Sequence, residues 1–147
     1  MELKELVTDD IDEIKSVIFD VFSNEPWNDD LKDEEQFHKY VLDLIGNRNS
    51  LALGLYDEDE LIGVSLGRII HWYSGTQYWI DDFGVLFERQ GGGIGSLFIE
   101  MVENFVKEKG IKQMVLLSEK DIPAYYFYKK NGFTPKEQKA FFVKCWK

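Results

Sequence analysis

The chain has 147 residues, 44% of them apolar and 15% aromatic, enough for one ordinary domain with a real core and too few for two comfortable ones. That composition excludes wholesale disorder, and no apolar run approaches the length of a bilayer span. The formal net charge of −10 disfavours nucleic acid and anionic membrane as partners and favours a cationic one, such as a polyamine-like molecule. Met1-Glu2-Leu3-Lys4 shows no basic segment leading into an apolar block, and the lone Cys145 rules out an internal disulfide framework. Both features fit a cytoplasmic protein in a reducing compartment.

The sequence holds no repeats or linkers, which predicts a single domain over residues 1–147. Glu2 to Val7 alternates weakly and predicts an opening strand. Thr8 is placed to cap a helix in which Ile11, Ile14, Val17, Ile18, Val21 and Phe22 recur at helical spacing. The stretch Asn24 to Asp30 breaks that period and reads as a loop. A second helix from about Asp33 would bury Phe37, Tyr40, Val41, Leu44 and Ile45, with Gly46 or Asn47 as its stop.

The period then changes. Leu51, Leu53 and Leu55 alternate with small residues, as in a half-buried strand. Asp57 to Glu60 makes a charged turn into a strand from Leu61 to Ile70, and Ser74-Gly75 a second turn into a strand from about Gln77 to Phe87. Three strands joined by short turns predict an antiparallel meander. Ile94, Leu97, Phe98, Met101, Val102, Phe105 and Val106 form one apolar stripe of a helix that Gly110 ends. Lys112 to Leu117 reads as a short strand, Pro123 to Lys130 as a short helix, and Phe133 onward as one or two closing strands. The fold class is α/β, a mixed sheet with helices.

Arg89-Gln90-Gly91-Gly92-Gly93-Ile94-Gly95-Ser96 lies between a strand and that strongly amphipathic helix. Consecutive glycines let a backbone approach a ligand closely and turn its N–H groups inward. The first turn of the helix adds free N–H donors and the positive end of the dipole, so the segment predicts an anion site. It is not a P-loop, because no Lys follows Gly95. Nor is it a dinucleotide-binding fingerprint, because Ser96 stands where the third glycine is needed and the preceding strands form an antiparallel meander.

Gln90-Gly91-Gly92-Gly93-Ile94-Gly95 resembles the Gln/Arg-x-x-Gly-x-Gly/Ala signature of the GNAT acetyltransferase superfamily, in pattern and in place. Asp121-Ile122-Pro123-Ala124-Tyr125-Tyr126-Phe127-Tyr128-Lys129-Lys130-Asn131-Gly132-Phe133 is similar to that family's second motif. The resemblance implies a mostly antiparallel central sheet splayed between its fourth and fifth strands, with helices on both faces, and acetyl-CoA as co-substrate with no metal. It implies that Gln90, Gly91, Gly92, Gly93, Ile94, Gly95 and Ser96 hold the coenzyme's pyrophosphate. Phe83 and Val85 would pair with its pantetheine arm, and Asp121, where the family usually has Asn, would contact the coenzyme. Arg89 is the only nearby cation, so binding would lean on amides and the helix dipole rather than on salt bridges.

Within that resemblance Tyr128 matches the tyrosine that protonates the leaving thiolate, a role open to a phenol held close to a sulfur. Asp81 and Asp82 point to opposite faces of a regular strand, so one of them reaches the cleft unless a bulge intervenes. Trp79-Ile80-Asp81 resembles the segment that supplies the cleft carboxylate of aminoglycoside 6′-N-acetyltransferases, which favours Asp81 as the base or as the holder of a cationic amine. Glu25-Pro26-Trp27-Asn28 is similar to the Pro-Trp-Asn loop of the same enzymes. Glu25, Trp27, Trp72 and Asp82 are therefore candidate acceptor contacts, suited to a polycation through ion pairing and cation–π contact. Three readings follow: acetylation of a small cationic amine, acetylation of a protein or peptide, and a non-catalytic acyl-CoA-binding regulatory module. Phe141-Phe142-Val143 offers an edge through which a homodimer would form.

Overall fold

In the computed structural model, which describes residues 1–146, five strands stand in chain order across one sheet. They are β1 (Glu2–Leu6), β2 (Ser50–Asp57), β3 (Glu60–Trp72), β4 (Gly75–Val85) and β5 (Gln113–Leu116). The helices are α1 (Ile11–Ser23) and α2 (Glu34–Ile45) before the meander, α3 (Ile94–Glu108) between β4 and β5, and α4 (Pro123–Lys130) after it. Neighbouring strands are antiparallel except β4 and β5, which are parallel. The intervening α3 is the crossover that a parallel pair requires. Among the described residues no helix is long and apolar enough to cross a membrane.

The two faces of the sheet carry separate cores. Ile14, Val17, Ile18 and Val21 of α1 and Phe37, Val41, Leu44 and Ile45 of α2 pack with Ala52, Leu61, Val64 and Leu66. On the opposite face Phe98, Ile99, Val102 and Val106 of α3 pack with Leu51, Leu53, Leu55, Ile62 and Tyr78. This double cover makes β2 buried on both sides from Leu51 to Leu55, where the alternation alone predicted a half-buried strand. Its small positions, Ala52 and Gly54, lie under α1 and α2 rather than in solvent.

Three other expectations change. Thr8 does not cap a helix: residues Thr8–Asp10 form a 3₁₀ turn ahead of α1, and Asp10 accepts a hydrogen bond from the Val7 amide instead. Tyr40 is 42% exposed rather than buried, because Phe37, Val41, Leu44 and Ile45 already form the inward stripe and Tyr40 falls on its flank. No closing strand forms between Phe133 and Trp146. Both faces of the sheet are already covered and β5 is only four residues long, so a further strand has no apolar face to bury against. Phe141, Phe142, Val143 and Trp146 remain 77%, 89%, 69% and 84% exposed.

The β3–β4 ladder carries one irregularity. Leu66 opposes Asp82 and Gly67 opposes Ile80, so Asp81 is an extra residue in β4. Gly67 permits that bulge, since a Cβ there would sit 2.2 Å from the Trp79 carbonyl oxygen, backbone that has no rotamer through which to yield. Gly67→Ala is expected to destabilise the fold by about 2 kcal/mol or more, measured by urea denaturation. A change under about 0.5 kcal/mol would show that the two strands separate there without cost.

Candidate active site

Pairing of β4 with β5 stops at Ile80 and Leu116, while pairing with β3 continues to Val85. Beyond Ile80 the edge of β4 on the β5 side is therefore open. The Leu86 amide donates to the Ile62 carbonyl at 2.9 Å, and backbone groups along an antiparallel strand alternate between its two neighbours. Those of Gly84 and Asp82 then face β3, and those of Phe83 and Val85 face the gap. The Gln90 side chain donates from Nε2 to the Val85 carbonyl at 2.9 Å. An extended ligand amide laid along this edge would complete the ladder with the remaining groups.

At the end of β4 a 3₁₀ turn, Phe87–Arg89, leads into the glycine run and α3. Gly91 and Gly93 both have φ +85, and Gly93 is the N-cap of α3 with no side-chain cap. A Cβ added at Gly91, Gly92 or Gly93 would meet nothing within 4 Å, so the run leaves an open cradle over the helix N-terminus. The first intrahelical bond shown there, from the Leu97 amide to the Gly93 carbonyl, leaves the amides of Ile94, Gly95 and Ser96 without a helical acceptor. Uncapped donors, the dipole and open space together fit a phosphate-bearing group. At Gly95 the reason for glycine is packing: a Cβ would lie 3.1 Å from the Phe127 ring of α4.

Arg89 turns away from this cradle. Its guanidinium donates to Asp57 at 2.8 Å and to Glu60 at 3.2 Å, tying the turn to the tip of the β2–β3 hairpin. The cation adjacent to the glycine run in the sequence is thus already paired. The cavity of about 810 Å³ beside it, lined by Glu13 and Asp57 to Glu60 among others, is acidic and unsuited to a phosphate.

The bulge puts both carboxylates on one face. Leu66 and Arg68 share a face of β3, and their partners Asp82 and Trp79 bracket the inserted Asp81. Asp81 accepts from Arg68 Nε and Nη2 at 3.3 and 3.4 Å, and the same guanidinium lies 5.5 Å from the Trp79 ring centre. Asp82 is half-buried and accepts from the Tyr40 hydroxyl of α2 at 2.6 Å. Burial pushes the Asp82 carboxyl up to about 6; the Tyr40 hydrogen bond pulls it back, and the charges of Asp81 and Asp29 raise it further. The Tyr40 hydroxyl is itself held protonated by burial and by Asp82, Asp81 and Asp29.

Tyr128, on α4, packs edge-on against Phe83, with ring centres 6.3 Å apart, and against Phe133. Among the described residues its hydroxyl makes no hydrogen bond. Burial, and then the negative charge of Asp82, push its pKa above that of a free phenol, so it stays protonated and available as a donor. The gap is thus bordered by Tyr128, by Asp82 and by the open groups of Phe83 and Val85.

The remaining predicted residues stand apart from that group. Asp121, at φ +63, accepts from the Tyr126 hydroxyl at 3.1 Å in the loop before α4. Glu25 is exposed in the α1–α2 loop, and Trp27 packs on Phe22 of α1 with ring centres 5.4 Å apart. Trp72 is 54% exposed at the far end of the β3–β4 hairpin and packs on Tyr73. Six residues separate it from Leu66 opposite Asp82, about 20 Å along the ladder. Sequence reasoning missed Tyr40 and Arg68; the only signal for Tyr40 was its place at the edge of the apolar stripe of α2.

The family model "Acetyltransferase (GNAT) family" matches residues 9–133, and the chain belongs to this family. It is therefore an acetyl-CoA-dependent N-acetyltransferase by class. Similar solved structures include an aminoglycoside acetyltransferase from an uncultured soil metagenomic sample in complex with sisomicin. It is 23% identical, with a TM-score of 0.75 and coverage of 99% of this chain and 96% of that one. The aminoglycoside antibiotic 6′-N-acetyltransferase of Acinetobacter haemolyticus is 16% identical, with a TM-score of 0.73 and full coverage, 100%, of both chains. A ribosomal-protein-alanine N-acetyltransferase of Brucella melitensis biovar Abortus 2308 is 14% identical, with a TM-score of 0.74 and 98% coverage of each chain. At these identities the likeness is one of fold. No curated protein matches the sequence.

Because Arg89 is spent on Asp57 and Glu60, Arg89→Gln is expected to weaken coenzyme A binding by less than about threefold in calorimetric titration. A direct, desolvated pyrophosphate contact would make the loss tenfold or more, about 1.4 kcal/mol.

Proposed function

We propose that this enzyme transfers the acetyl group of acetyl-CoA to a primary amine of a small cationic acceptor, aminoglycoside-like or polyamine-like, by direct attack. The observation that carries this reading is the set of carboxylates at the mouth of the gap. Asp29, Asp81 and Asp82 act on one another or on Tyr40, and Arg68 pairs with Asp81 alone. A cleft with that balance attracts ammonium groups and repels anions.

Gly91, Gly92, Gly93, Gly95 and Ser96 would hold the coenzyme's phosphates through backbone amides, with Ile94 beneath them in the α3 core and Gln90 bracing the turn on Val85. Phe83 and Val85 would bind its extended arm. Acetyl-CoA, when bound, supplies an acetyl thioester to the acceptor amine. One carboxylate of the pair Asp81–Asp82 holds the ammonium and takes up its proton as it becomes a neutral nucleophile. Tyr128 gives a proton to the departing thiolate, and the second proton of the attacking nitrogen passes through water to restore the Tyr128 hydroxyl, leaving an amide and a free thiol. Glu25 and Trp27 form the outer rim of the acceptor site, and Trp72 the distant end of an elongated one. Asp121 contacts the coenzyme through its backbone, since Tyr126 engages its carboxylate.

The chain works as one N-acetyltransferase domain over residues 1–147, in the cytoplasm, without nucleic acid or membrane as partner. The lone exposed Cys145 and the net charge of −10 support that setting. The exposed Phe141, Phe142, Val143 and Trp146 support a homodimer in which a second copy covers them. Light scattering that returns a monomer at micromolar concentration would remove the dimer.

A thiol-release assay with acetyl-CoA and a panel of aminoglycosides, polyamines, amino acids and short peptides tests the acceptor. Turnover on the polycations is the expected result. Turnover on peptides alone would discard the small-molecule acceptor, and bound coenzyme with no turnover would favour a regulatory module. Tyr128→Phe is expected to lower kcat by about 10- to 100-fold with acetyl-CoA affinity nearly unchanged; an unchanged kcat would remove Tyr128 as the acid.

A further inference from the structure

We propose that Tyr40 is a positioning residue of the acceptor site: its hydroxyl holds the Asp82 carboxylate across the cleft, so that Asp82 rather than Asp81 receives the cationic amine. The inference rests on the amine-acetylation reading above and extends it to a residue on α2 that neither sequence motif contains.

The two carboxylates share a face but not a situation. Asp81 has a guanidinium partner, with both oxygens engaged by Arg68. A second cation there would have to displace or crowd the first. Asp82 has no cation within ion-pair distance among the described residues. Its Oδ2 accepts one hydrogen bond, from Tyr40, and leaves the other oxygen open. Asp82 also lies next to Phe83, whose backbone faces the gap, and close enough to Tyr128 for its charge to act on that phenol. An amine on Asp82 therefore sits beside the acid, whereas one on Asp81 sits a residue further back, against the paired part of β4 and β5.

Tyr40 is suited to hold rather than to react. Its hydroxyl donates a short hydrogen bond of 2.6 Å across two elements distant in sequence. A hydrogen bond to a half-buried carboxylate fixes its rotamer and favours the charged form. The groups facing Asp82 are Tyr40 on α2, Asp29 in the loop before α2, Asp81 on β4 with Arg68 behind it on β3, and Tyr128 on α4. Tyr40 and Asp29 pull the Asp82 carboxyl in opposite directions, the first down and the second up. This opposition provides a test that a merely structural role would not pass.

The experiment titrates the Asp82 side-chain carboxyl by carbon-13 NMR in the wild type, Tyr40→Phe and Asp29→Asn. It is paired with kcat/KM against pH, using acetyl-CoA with sisomicin and spermidine as probe amines. The Asp82 midpoint is expected near 6 in the wild type, higher in Tyr40→Phe and lower in Asp29→Asn. The acid limb of kcat/KM is expected to move the same way in each variant. For a shift of about one pH unit, Tyr40→Phe loses about fivefold at pH 6 and little at pH 8. Midpoints that stay put, or that move together in one direction, overturn the role of Tyr40. Midpoints that move as stated beneath an unmoved limb overturn Asp82 as the amine's carboxylate. Midpoints that move in a protein with no turnover on either amine count against the acetylation reading itself, and the acceptor half of this inference falls with it.

Discussion

A strand of period two shows adjacent residues to opposite faces, and β4 departs from that rule at one place. Asp81 is inserted between the pairs Leu66–Asp82 and Gly67–Ile80, so two neighbouring carboxylates emerge on the face covered by α1 and α2. The same stretch of β4 is where β5 stops pairing. A bulge increases local twist and bends the strand that carries it, and here the bend coincides with the opening of the gap. Gly67, which has no room for a side chain against Trp79, is the residue that lets β3 follow. The carboxylates, the open backbone of Phe83 and Val85, and Tyr128 opposite them all depend on this one irregularity.

Charge differs between the two ends of the gap. At the cradle the chain offers uncapped amides and glycine, and Arg89, the cation adjacent to it in sequence, is tied to the β2–β3 hairpin. Anion binding there would rest on dipoles, which need no counter-charge and no desolvation of a side chain. At the other end Arg68 is matched to Asp81, which leaves Asp82 and Asp29 as net negative charge. A negative cleft and a polar cradle on one strand would keep the proposed amine site apart from the proposed phosphate site.

The aromatic residues of α4 connect these ends. Phe127 lies over Gly95 at the start of α3 and stacks on Phe83, while Tyr128 packs edge-on against the same Phe83 ring. Phe83 itself stacks on Phe98 in the α3 core. The tyrosine of the gap is thus fixed by the packing that positions the helix N-terminus of the cradle, and the acid of the proposed mechanism and the cradle cannot move independently.

Much of the fold was legible because it rests on local rules. Helical stripes located α1, α2 and α3, short turns predicted the meander, Pro123 to Lys130 read as the short helix α4, and the run from Gln90 to Gly95 lay between a strand and a helix. The losses have physical causes. Burial of β2 on both sides depended on which helices cover which face, and the order of residues along β2 does not state that. Closing strands were expected from Phe133 onward, yet a strand forms only where an edge and a burying face are both vacant. Period two alone puts Asp81 and Asp82 on opposite faces unless a bulge intervenes, and whether one does depends on the close approach of β3 and β4 at Gly67, which the order of residues along β4 does not state. Tyr40 read as core for a similar reason: period places a residue near a face, but only the packing of α2 against the sheet decides whether a flank position points inward or across a cleft. The sequence by itself determined the class of fold, the glycine-rich turn ahead of α3 and the place of Tyr128 on α4, because each follows from residues adjacent in the chain. The pairing of Arg68 with Asp81, of Tyr40 with Asp82 and of Arg89 with Asp57 was decided only by the tertiary structure, because each joins side chains that the chain keeps apart and only the folded sheet and helices bring within reach.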